Sequence, residues 1–169
     1  AVDPAPPPFA AGAWDAFAAI WAVGSLGAPV PPEAEGQLLP LTRWLRERGR
    51  TFTGEQHAQA LQAAQQVTRA TAELWDPFDI ILTPTLAQPP ALHGSLRDDN
   101  DPAADFAAQT RFTPWTSVYN LTGRPAISLP VHTEAVDGVV VPFGAMLGGR
   151  LHQDALLLAV AAQLEGRYR

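Results

Sequence analysis

Residues 120–130 read NLTGRPAISLP, and this stretch contains the passage from a helix to a strand on which the fold depends. Thr122-Gly123 marks the end of a short helix, because glycine after the last helical residue readily adopts the left-handed conformation that closes it. The helix is predicted to open at Thr113-Pro114, with the threonine as N-cap and the proline at the first helical position. Residues 126–129 are then predicted to form a short strand that ends at Pro130.

Two further strands are predicted, one on each side of this stretch. Upstream, residues 78–83 read FDIILT, a short apolar run that is typical of a strand buried on both faces. Residues 84–90 should then form a rigid loop, and residues 92–105 an irregular surface segment. Downstream, Asp137-Gly138 is a turn signal, and residues 139–147 are strand material in which Pro142 needs a strand start, an edge or a bulge.

Amphipathic helices are predicted near both ends of the chain. Near the N-terminus, an apolar stripe at positions i, i+3, i+4 and i+7 predicts a helix with an aromatic core-facing side; its members are Trp14, Phe17, Ala18 and Trp21. A second helix is expected over about residues 40–48 and should end at Gly49. The closing helix covers residues 154–165, with four inward residues: Leu157, Val160, Ala161 and Leu164.

A long helix lies between these two regions. Thr53 and Gln56 have the spacing of a capping box, in which each side chain binds a backbone N–H of the other's residue. The helix should run to about Trp75, where Asp76-Pro77 terminates it. Its predicted buried side consists of Ala58, Leu61, Ala64, Thr68, Thr71 and Trp75.

The order of these elements indicates an α/β fold. Residues 1–75 are mainly helical, and residues 76–169 hold the strands and the closing helix. Strands that are apolar on both faces need a layer on each side. Because the predicted strands are too few to close such a unit, further strands are expected from another segment.

The composition excludes several classes of function. The formal net charge of -6 argues against nucleic acid or a membrane surface as a partner, because both need basic patches. There is no cysteine, so disulfides and thiolate metal sites are excluded, and the four histidines do not have the spacing of a zinc motif. All eleven basic residues are arginine, so this chain supplies no lysine base.

The chain start and the hydropathy bear on location. No apolar run of about 18 residues and no signal-peptide core are present, so neither a spanning helix nor secretion is predicted, and the expected location is cytoplasmic. Because the first residue is Ala1 and Met146 is the single methionine, the chain is expected to be a fragment or a processed product.

Three pieces of sequence together resemble a known family. They are residues 78–85 (FDIILTPT) followed by Pro89-Pro90, residues 112–114 with the stretch 120–130, and residues 142–144 (PFG) followed by Asp154 and Leu164-Glu165. Their order and spacing resemble the C-terminal third of the amidase-signature family, over about residues 70–166. Phe143 and residues 150–153 depart from the family pattern, which affects assignment to a branch and not to the family.

The resemblance implies a three-layer α/β/α domain with a mixed central sheet, of which residues 1–169 would be the C-terminal segment. Family members hydrolyse amides with a Ser-Ser-Lys triad and without a cofactor. That triad lies in the N-terminal half of the family, and none of the four serines here has glycine-rich flanks: Ser25, Ser95, Ser117 and Ser128. No catalytic residue is therefore assigned to this chain, and the chain alone is expected to be inactive.

By the same resemblance, the C-terminal part supplies one wall of the acyl pocket. The candidate substrate-binding residues are Thr83, Thr85, Trp115 and Asn120. The alternative for the two threonines is a turn whose hydroxyls cap backbone groups, and the alternative for Asn120 is a side chain that ties down a loop.

The intact protein is thus expected to hydrolyse a carboxamide or a small linear amide. The absence of a Tyr-rich stretch before Asn120 favours general amidases, including those acting on aminohexanoate oligomers, over tRNA-dependent amidotransferases. One alternative is a non-catalytic subunit or remnant that pairs with a separate catalytic half through exposed strand edges, and that would aggregate or dimerise alone. Another is a helical binding module, which far-UV circular dichroism would reveal by the lack of a sheet.

Overall fold

The computed structural model describes residues 1–8 and 13–168, with side chains up to residue 166. The chain divides into two compact units, each built from separate segments. The first, here called the sheet unit, comprises Ala1–Phe9, Val67–Ala91 and Phe112–Arg169. The second, the helical unit, comprises Ala10–Gln66 and Leu92–Arg111.

Three strands form the sheet: β1 (Ile81–Pro84), β2 (Ala126–Val136) and β3 (Val139–Gly148). Their order is β1-β3-β2, and β3 is antiparallel to both neighbours. The mixed pairing expected of a whole domain is therefore not seen among the described strands, which pair only antiparallel. Asp137 and Gly138 connect β2 to β3 with φ angles of 51° and 79°, so the predicted turn is confirmed as a tight hairpin.

Proline positions account for one wrong prediction and one confirmed one. β2 does not end at Pro130 but continues to Val136. The register of the ladder shifts between Pro130 and His132, beside the proline that has no N–H to donate, and the pairing with β3 then resumes. Pro142 pairs with Thr133 in a part of β3 that β1 does not reach, which is an edge position as predicted.

Helices cover both faces of the sheet. On one face, Ile81 and Met146 pack with Trp75 and with two residues of helix α5 (Thr116–Thr122), Val118 and Tyr119. On the opposite face, four residues form a second core with α6 (Asp154–Tyr168): Leu129, Leu147, Leu157 and Ala161. We call these the α5 face and the α6 face. The arrangement confirms an α/β fold with helix layers on both sides of a sheet.

The closing helix and the end of α5 agree with their predictions. Leu157 and Ala161 of α6 are buried, and Val160 and Leu164 are half-buried. Gly123 follows α5 with φ 68°, and its N–H binds the carbonyl of Tyr119.

The start of α5 and the form of β1 were predicted wrongly. Thr113 and Pro114 do not open a helix; α5 begins at Thr116. β1 begins at Ile81 and is not buried on both faces, because Leu82 is 64% exposed on the side that carries Pro84.

The helical unit contains α1 (Ala13–Gly24), α2 (Pro40–Thr51), residues 54–66 of α3 (Gly54–Trp75) and α4 (Pro102–Phe112), with short 3-10 turns at Ser25–Gly27 and Pro32–Gln37. Helix α4 replaces part of the irregular segment predicted for residues 92–105. Asp101 precedes it as a cap, accepting a hydrogen bond from the N–H of Ala104 at 3.0 Å, and Pro102 occupies its first position.

Helix α1 buries an alanine face and not its aromatic face. The buried residues are Ala13, Ala16, Ala19 and Ala22, whereas Trp14 and Trp21 are 37% and 46% exposed. The aromatic rings instead contact each other, with Phe17 between the two tryptophans at centroid distances of 5.7 and 5.3 Å. The predicted aromatic core face of α1 is therefore wrong.

Small residues allow α1 and α2 to approach closely. Gly49 lies inside α2 and does not end it, and a Cβ atom at Gly49 would collide with the carbonyl group of Ala22. Arg46, one turn earlier, is buried and binds Glu35 and the carbonyls of Ser25 and Ala28. These contacts fix the turns between the two helices.

The capping box of α3 is confirmed, but its buried side is only partly as predicted. Thr53 N–H donates to Gln56 Oε1 at 2.8 Å, and Gln56 N–H donates to Thr53 Oγ1 at 3.1 Å. Thr71 and Trp75 are buried, while Ala58 and Leu61 are exposed. In the first half of α3 the buried position is Ala60, which packs with Ala16 and Ala19.

None of the described helices has the length and apolar character needed to cross a bilayer.

Candidate functional site

The α5 face of the sheet changes from apolar to polar along its length. Directly paired residues of antiparallel strands point to the same face, so Thr83, Met146 and Ser128 share it. One step further along, Thr85 N–H donates to the carbonyl of Gly144 at 2.9 Å. The buried apolar end thus lies around Ile81, and the opposite end carries three hydroxyls, from Thr83, Thr85 and Ser128, which we call the hydroxyl patch.

Two members of the hydroxyl patch meet across the central strand. Thr85 Oγ1 and Ser128 Oγ are 2.6 Å apart, although they belong to β2 and to the segment that extends β1. Gly144 makes this possible: a Cβ there would lie 2.6 Å from Thr85 Oγ1 and 3.0 Å from Ser128 Oγ. The glycine in the PFG piece therefore has a steric role in the patch.

Ser128 was not among the predicted site residues. The sequence placed it inside a buried strand, but the structure leaves it exposed. A close hydroxyl partner and an accessible position make it part of the candidate site. Within the described chain it has no histidine or carboxylate partner, so it lacks a base that would activate it as a nucleophile.

The third hydroxyl of the patch has a different environment. Thr83 Oγ1 is buried, and it has no hydrogen-bond partner among the described residues. The same is true of three other hydroxyls in the sheet unit: Thr71, Ser117 and Tyr119. An unpaired buried hydroxyl costs about 1–3 kcal/mol, so this region of the unit is polar at the expense of stability.

Tyr119 shows the effect of this burial on acidity. Its ring lies against Gly148, where a Cβ would come within 2.6 Å of Cζ. Burial raises the pKa of Tyr119 to about 12, because the phenolate would lose its hydration; the positive charge of Arg124 opposes the shift only in part. The phenol is therefore neutral at ordinary pH and does not act as a base.

Trp115 and Asn120 lie near opposite ends of α5. The carbonyl of Phe112 accepts a hydrogen bond from Ala87 N–H at 3.1 Å. The residues that lead into α5, among them Trp115, therefore start beside the segment that follows Thr85. Trp115 precedes α5 and is 38% exposed. Asn120 is exposed and adjacent to Tyr119, which contacts the Gly148 end of β3. The structure thus brings Thr83 and Thr85 together, and it places Asn120 toward the other end of the sheet.

The hydrogen bonds also bear on the alternative roles of these residues. The Thr85 hydroxyl pairs with a side chain, and the Thr83 hydroxyl has no described partner, so neither caps a backbone group. No side-chain hydrogen bond of Asn120 to another described residue ties down a loop.

Two arginines hold the strand ends at the Ile81 and Gly148 end of the sheet, opposite the hydroxyl patch. Arg124 is buried and donates to the carbonyl of Gly149 at 3.0 Å and to Asp76 at 2.9 Å. Arg150 donates to the carbonyl of Phe78 at 3.1 Å. These bonds connect the residues before β1 with those after β3, and sequence reasoning did not identify them.

The site has few groups for covalent or metal chemistry. No group of three or more His, Cys, Asp or Glu side chains in the described part of the chain could hold a metal ion. The arrangement offers neutral hydrogen-bond donors and acceptors on a rigid sheet, which suits recognition of an uncharged polar ligand.

Comparison with known proteins identifies the family. The model of the Amidase family matches residues 30–158. The chain belongs to the amidase family. This confirms the resemblance: the match includes residues 78–85 and 120–130, and it ends at residue 158, within the third piece.

Several relatives of this amidase chain are known. AmiB2 of Mycobacterium tuberculosis, which is named only as a candidate amidase, is 33% identical over 125 residues, covering 73% of the chain and 26% of AmiB2. A glutamyl-tRNA(Gln) amidotransferase subunit of Deinococcus radiodurans is 32% identical over 109 residues, covering 64% of the chain and 21% of the amidotransferase polypeptide. The chain therefore spans about a quarter of the length of these relatives.

Two solved structures share the fold of this amidase chain. The 6-aminohexanoate cyclic dimer hydrolase matches 95% of the chain with a TM-score of 0.79 and 21% identity, and a crystal structure of an amidase matches 94% with a TM-score of 0.67 and 17% identity. In each case the matched part is 36% of the other protein.

Proposed function

We propose that the protein containing this chain hydrolyses a carboxamide or a small linear amide to a carboxylic acid and an amine or ammonia. The observation that carries the proposal is the family match over residues 30–158. The hydroxyl patch supports it, since neutral hydroxyls on a fixed sheet complement the carbonyl and N–H groups of an amide.

The reaction would pass through an acyl-enzyme. A serine oxygen attacks the amide carbon while its proton passes to the catalytic base, and the carbon–nitrogen bond then breaks as the base gives that proton to the leaving nitrogen. Water attacks the resulting ester and gives one proton through the base to the serine oxygen, which releases the carboxylic acid and restores the serine hydroxyl. The Ser-Ser-Lys triad of this scheme lies outside residues 1–169, because the chain contains no lysine.

The role proposed for this chain is to form one wall of the substrate pocket. Thr83, Thr85 and Trp115 would contact the substrate from the polar end of the α5 face, and Asn120 would contact or support the pocket from the other end of α5. No metal or cofactor has a part in this scheme.

The proposed partner of the chain is the catalytic half of the same enzyme. Leu82 is 64% exposed on edge strand β1, so an apolar part of the sheet is available to pack against further strands or helices. The cytoplasmic location expected from the sequence belongs to the same proposal, as does preference for general amidase substrates over a tRNA-linked one.

An active-site label tests where the nucleophile lies. The intact protein is treated with phenylmethanesulfonyl fluoride, digested, and the modified serine is located by mass spectrometry. We expect loss of amide hydrolysis and an adduct outside residues 1–169. An adduct on Ser117 or Ser128 would contradict the proposal.

A second assay tests the acyl-enzyme. Hydroxylamine added during turnover should compete with water and give a hydroxamate, because an activated ester transfers its acyl group to either nucleophile. The length of the native gene product decides between this proposal and its alternative. If that product is about 169 residues long and does not hydrolyse amides, the alternative of a non-catalytic subunit with a separate catalytic partner replaces the proposal.

A further inference from the structure

We infer that Ser128 and Thr85 form a specificity site that favours amide substrates carrying a second, uncharged hydrogen-bonding group, such as another carboxamide. The inference rests on the proposed function and adds a substrate class and a residue, Ser128, that the sequence did not assign. It depends on the proton arrangement of the pair, its accessibility and its rigidity.

The proton arrangement leaves one donor pointing away from the pair. Each hydroxyl has one hydrogen and two acceptor sites. At 2.6 Å, one of the two hydroxyls donates to the other, so the hydrogen of the accepting hydroxyl is not used within the pair. The pair therefore presents one donor together with oxygen lone pairs, which matches the C=O and N–H of an amide.

The two hydroxyls are accessible and are not part of the strand ladder. Ser128 is exposed, and Thr85 is half-buried. The Thr85 backbone bond to Gly144 uses the N–H and leaves the hydroxyl free of backbone partners. A ligand could thus reach the pair without breaking the sheet.

The positions of the hydroxyls are fixed by three chain segments. Thr85 follows β1, Ser128 lies on β2, and Gly144 of β3 separates them without a side chain. Groups held by strands lose little conformational freedom when a ligand binds. Most of the free energy of a hydrogen bond to the ligand therefore contributes to the preference for a substrate that can form it. The neutral hydroxyls favour an uncharged group, because they offer no charge that would offset the desolvation of an ion.

The test compares two linear amides with the intact protein. Hexanamide and adipamide have the same carbon chain, but adipamide carries a second carboxamide at the far end. The measured quantity is the ratio of kcat/KM for adipamide to that for hexanamide. Ser128→Ala and Thr85→Val should each lower this ratio about fivefold to tenfold, the value of one net hydrogen bond.

Two further variants make the result specific. Thr133→Val removes an exposed hydroxyl of the same strand that is outside the patch, and should leave the ratio unchanged. Gly144→Ala places a Cβ between the two hydroxyls and should lower the ratio as the single variants do.

The outcomes separate this inference from the proposed function. If the wild-type protein hydrolyses both amides and the ratio is the same in Ser128→Ala and Thr85→Val, the specificity site is refuted while amide hydrolysis stands. A lower melting temperature without a change in ratio would likewise show that the pair only joins the strands. If the wild-type protein hydrolyses neither amide, the proposed function fails and the inference fails with it.

Discussion

Buried hydroxyls without partners distinguish the sheet unit at the level of single residues. Thr71 of α3 is 0% exposed, and its hydroxyl has no partner among the described residues. Thr122 of α5 is also buried, but its hydroxyl donates to the carbonyl of Val118 at 2.7 Å. The two threonines are both buried and differ in whether the hydroxyl has a hydrogen-bond partner, so they form a matched pair.

We expect Thr71→Val to raise the free energy of unfolding by about 1 kcal/mol, because valine removes an unpaired polar atom without changing the shape. Thr122→Val should lower it by about 1 kcal/mol, because it removes a formed hydrogen bond. Thermal unfolding of the intact protein measures both changes. Equal losses in the two variants would show that the Thr71 hydroxyl has a partner after all.

The acidity of Tyr119 predicts how stability depends on pH. The phenol loses its proton near its ordinary pKa in the unfolded chain, but only near pH 12 in the folded protein. Because the unfolded state releases the proton first, the stabilisation is complete below about pH 10 and is lost as the pH rises toward 12. Unfolding followed between these pH values should show a smaller loss for Tyr119→Phe than for the wild type. Equal losses would mean that Tyr119 titrates normally.

Sequence reasoning found part of the candidate site at this level. Thr83 and Thr85 were candidates through the family resemblance, and the sequence placed Thr85 in a loop; in the structure Thr85 lies beside β3, where its N–H donates to the carbonyl of Gly144. Ser128 was missed because the apolar residues around it indicated burial on both faces, and only the structure shows where the cover of α5 ends. Gly144 carried no signal by itself, since its importance depends on two residues from other segments.

At the level of elements, the contact between α1 and α2 depends on a glycine. A Cβ at Gly49 would be 2.9 Å from the carbonyl carbon of Ala22 and 3.3 Å from Leu26 Cδ1, and backbone atoms cannot move aside cheaply. We expect Gly49→Ala to lower the free energy of unfolding by about 1–2 kcal/mol, since overpacking outweighs the gain in helix propensity.

Gly24 gives a matched control for this prediction. It has helical dihedral angles, with φ -58° and ψ -32°, and a Cβ there would meet nothing within 4 Å. Gly24→Ala should therefore leave stability unchanged or raise it slightly, as measured by chemical denaturation of the two variants side by side. A stabilised Gly49→Ala variant would show that the helices are farther apart than described.

The elements were more predictable than the faces they bury. The capping box at Thr53, the hairpin turn at Asp137 and the end of α5 at Gly123 followed from local rules and are confirmed. The buried face of α1 did not follow, because large aromatic residues suggested a core whereas close helix packing selected alanines. The pair Asp101-Pro102 was a usable helix signal that was not applied.

At the level of the whole molecule, the sheet is covered unevenly. Leu147 on β3 is buried beneath α6, whereas its neighbour Leu82 on β1 is 64% exposed on the same face. The expectation that further strands come from another segment stays a prediction, and this uncovered part is where such strands or helices would pack. The sequence predicted that strands apolar on both faces need two layers, but it could not show which strand would be left exposed.

The isolated chain of 169 residues should therefore be inactive and should bind the rest of the enzyme through β1. It has no lysine to act as the catalytic base, so we expect no hydrolysis of hexanamide by the chain alone. Co-expression with the remaining segment of the same protein should restore hydrolysis if the two pieces assemble. Leu82→Asp should reduce the restored activity, because a carboxylate on this strand cannot be buried without a large cost. The control is Leu92→Asp, which changes a leucine that is 83% exposed in the helical unit and should leave the restored activity unchanged. Hydrolysis of hexanamide by the isolated chain would contradict the placement of the triad outside it.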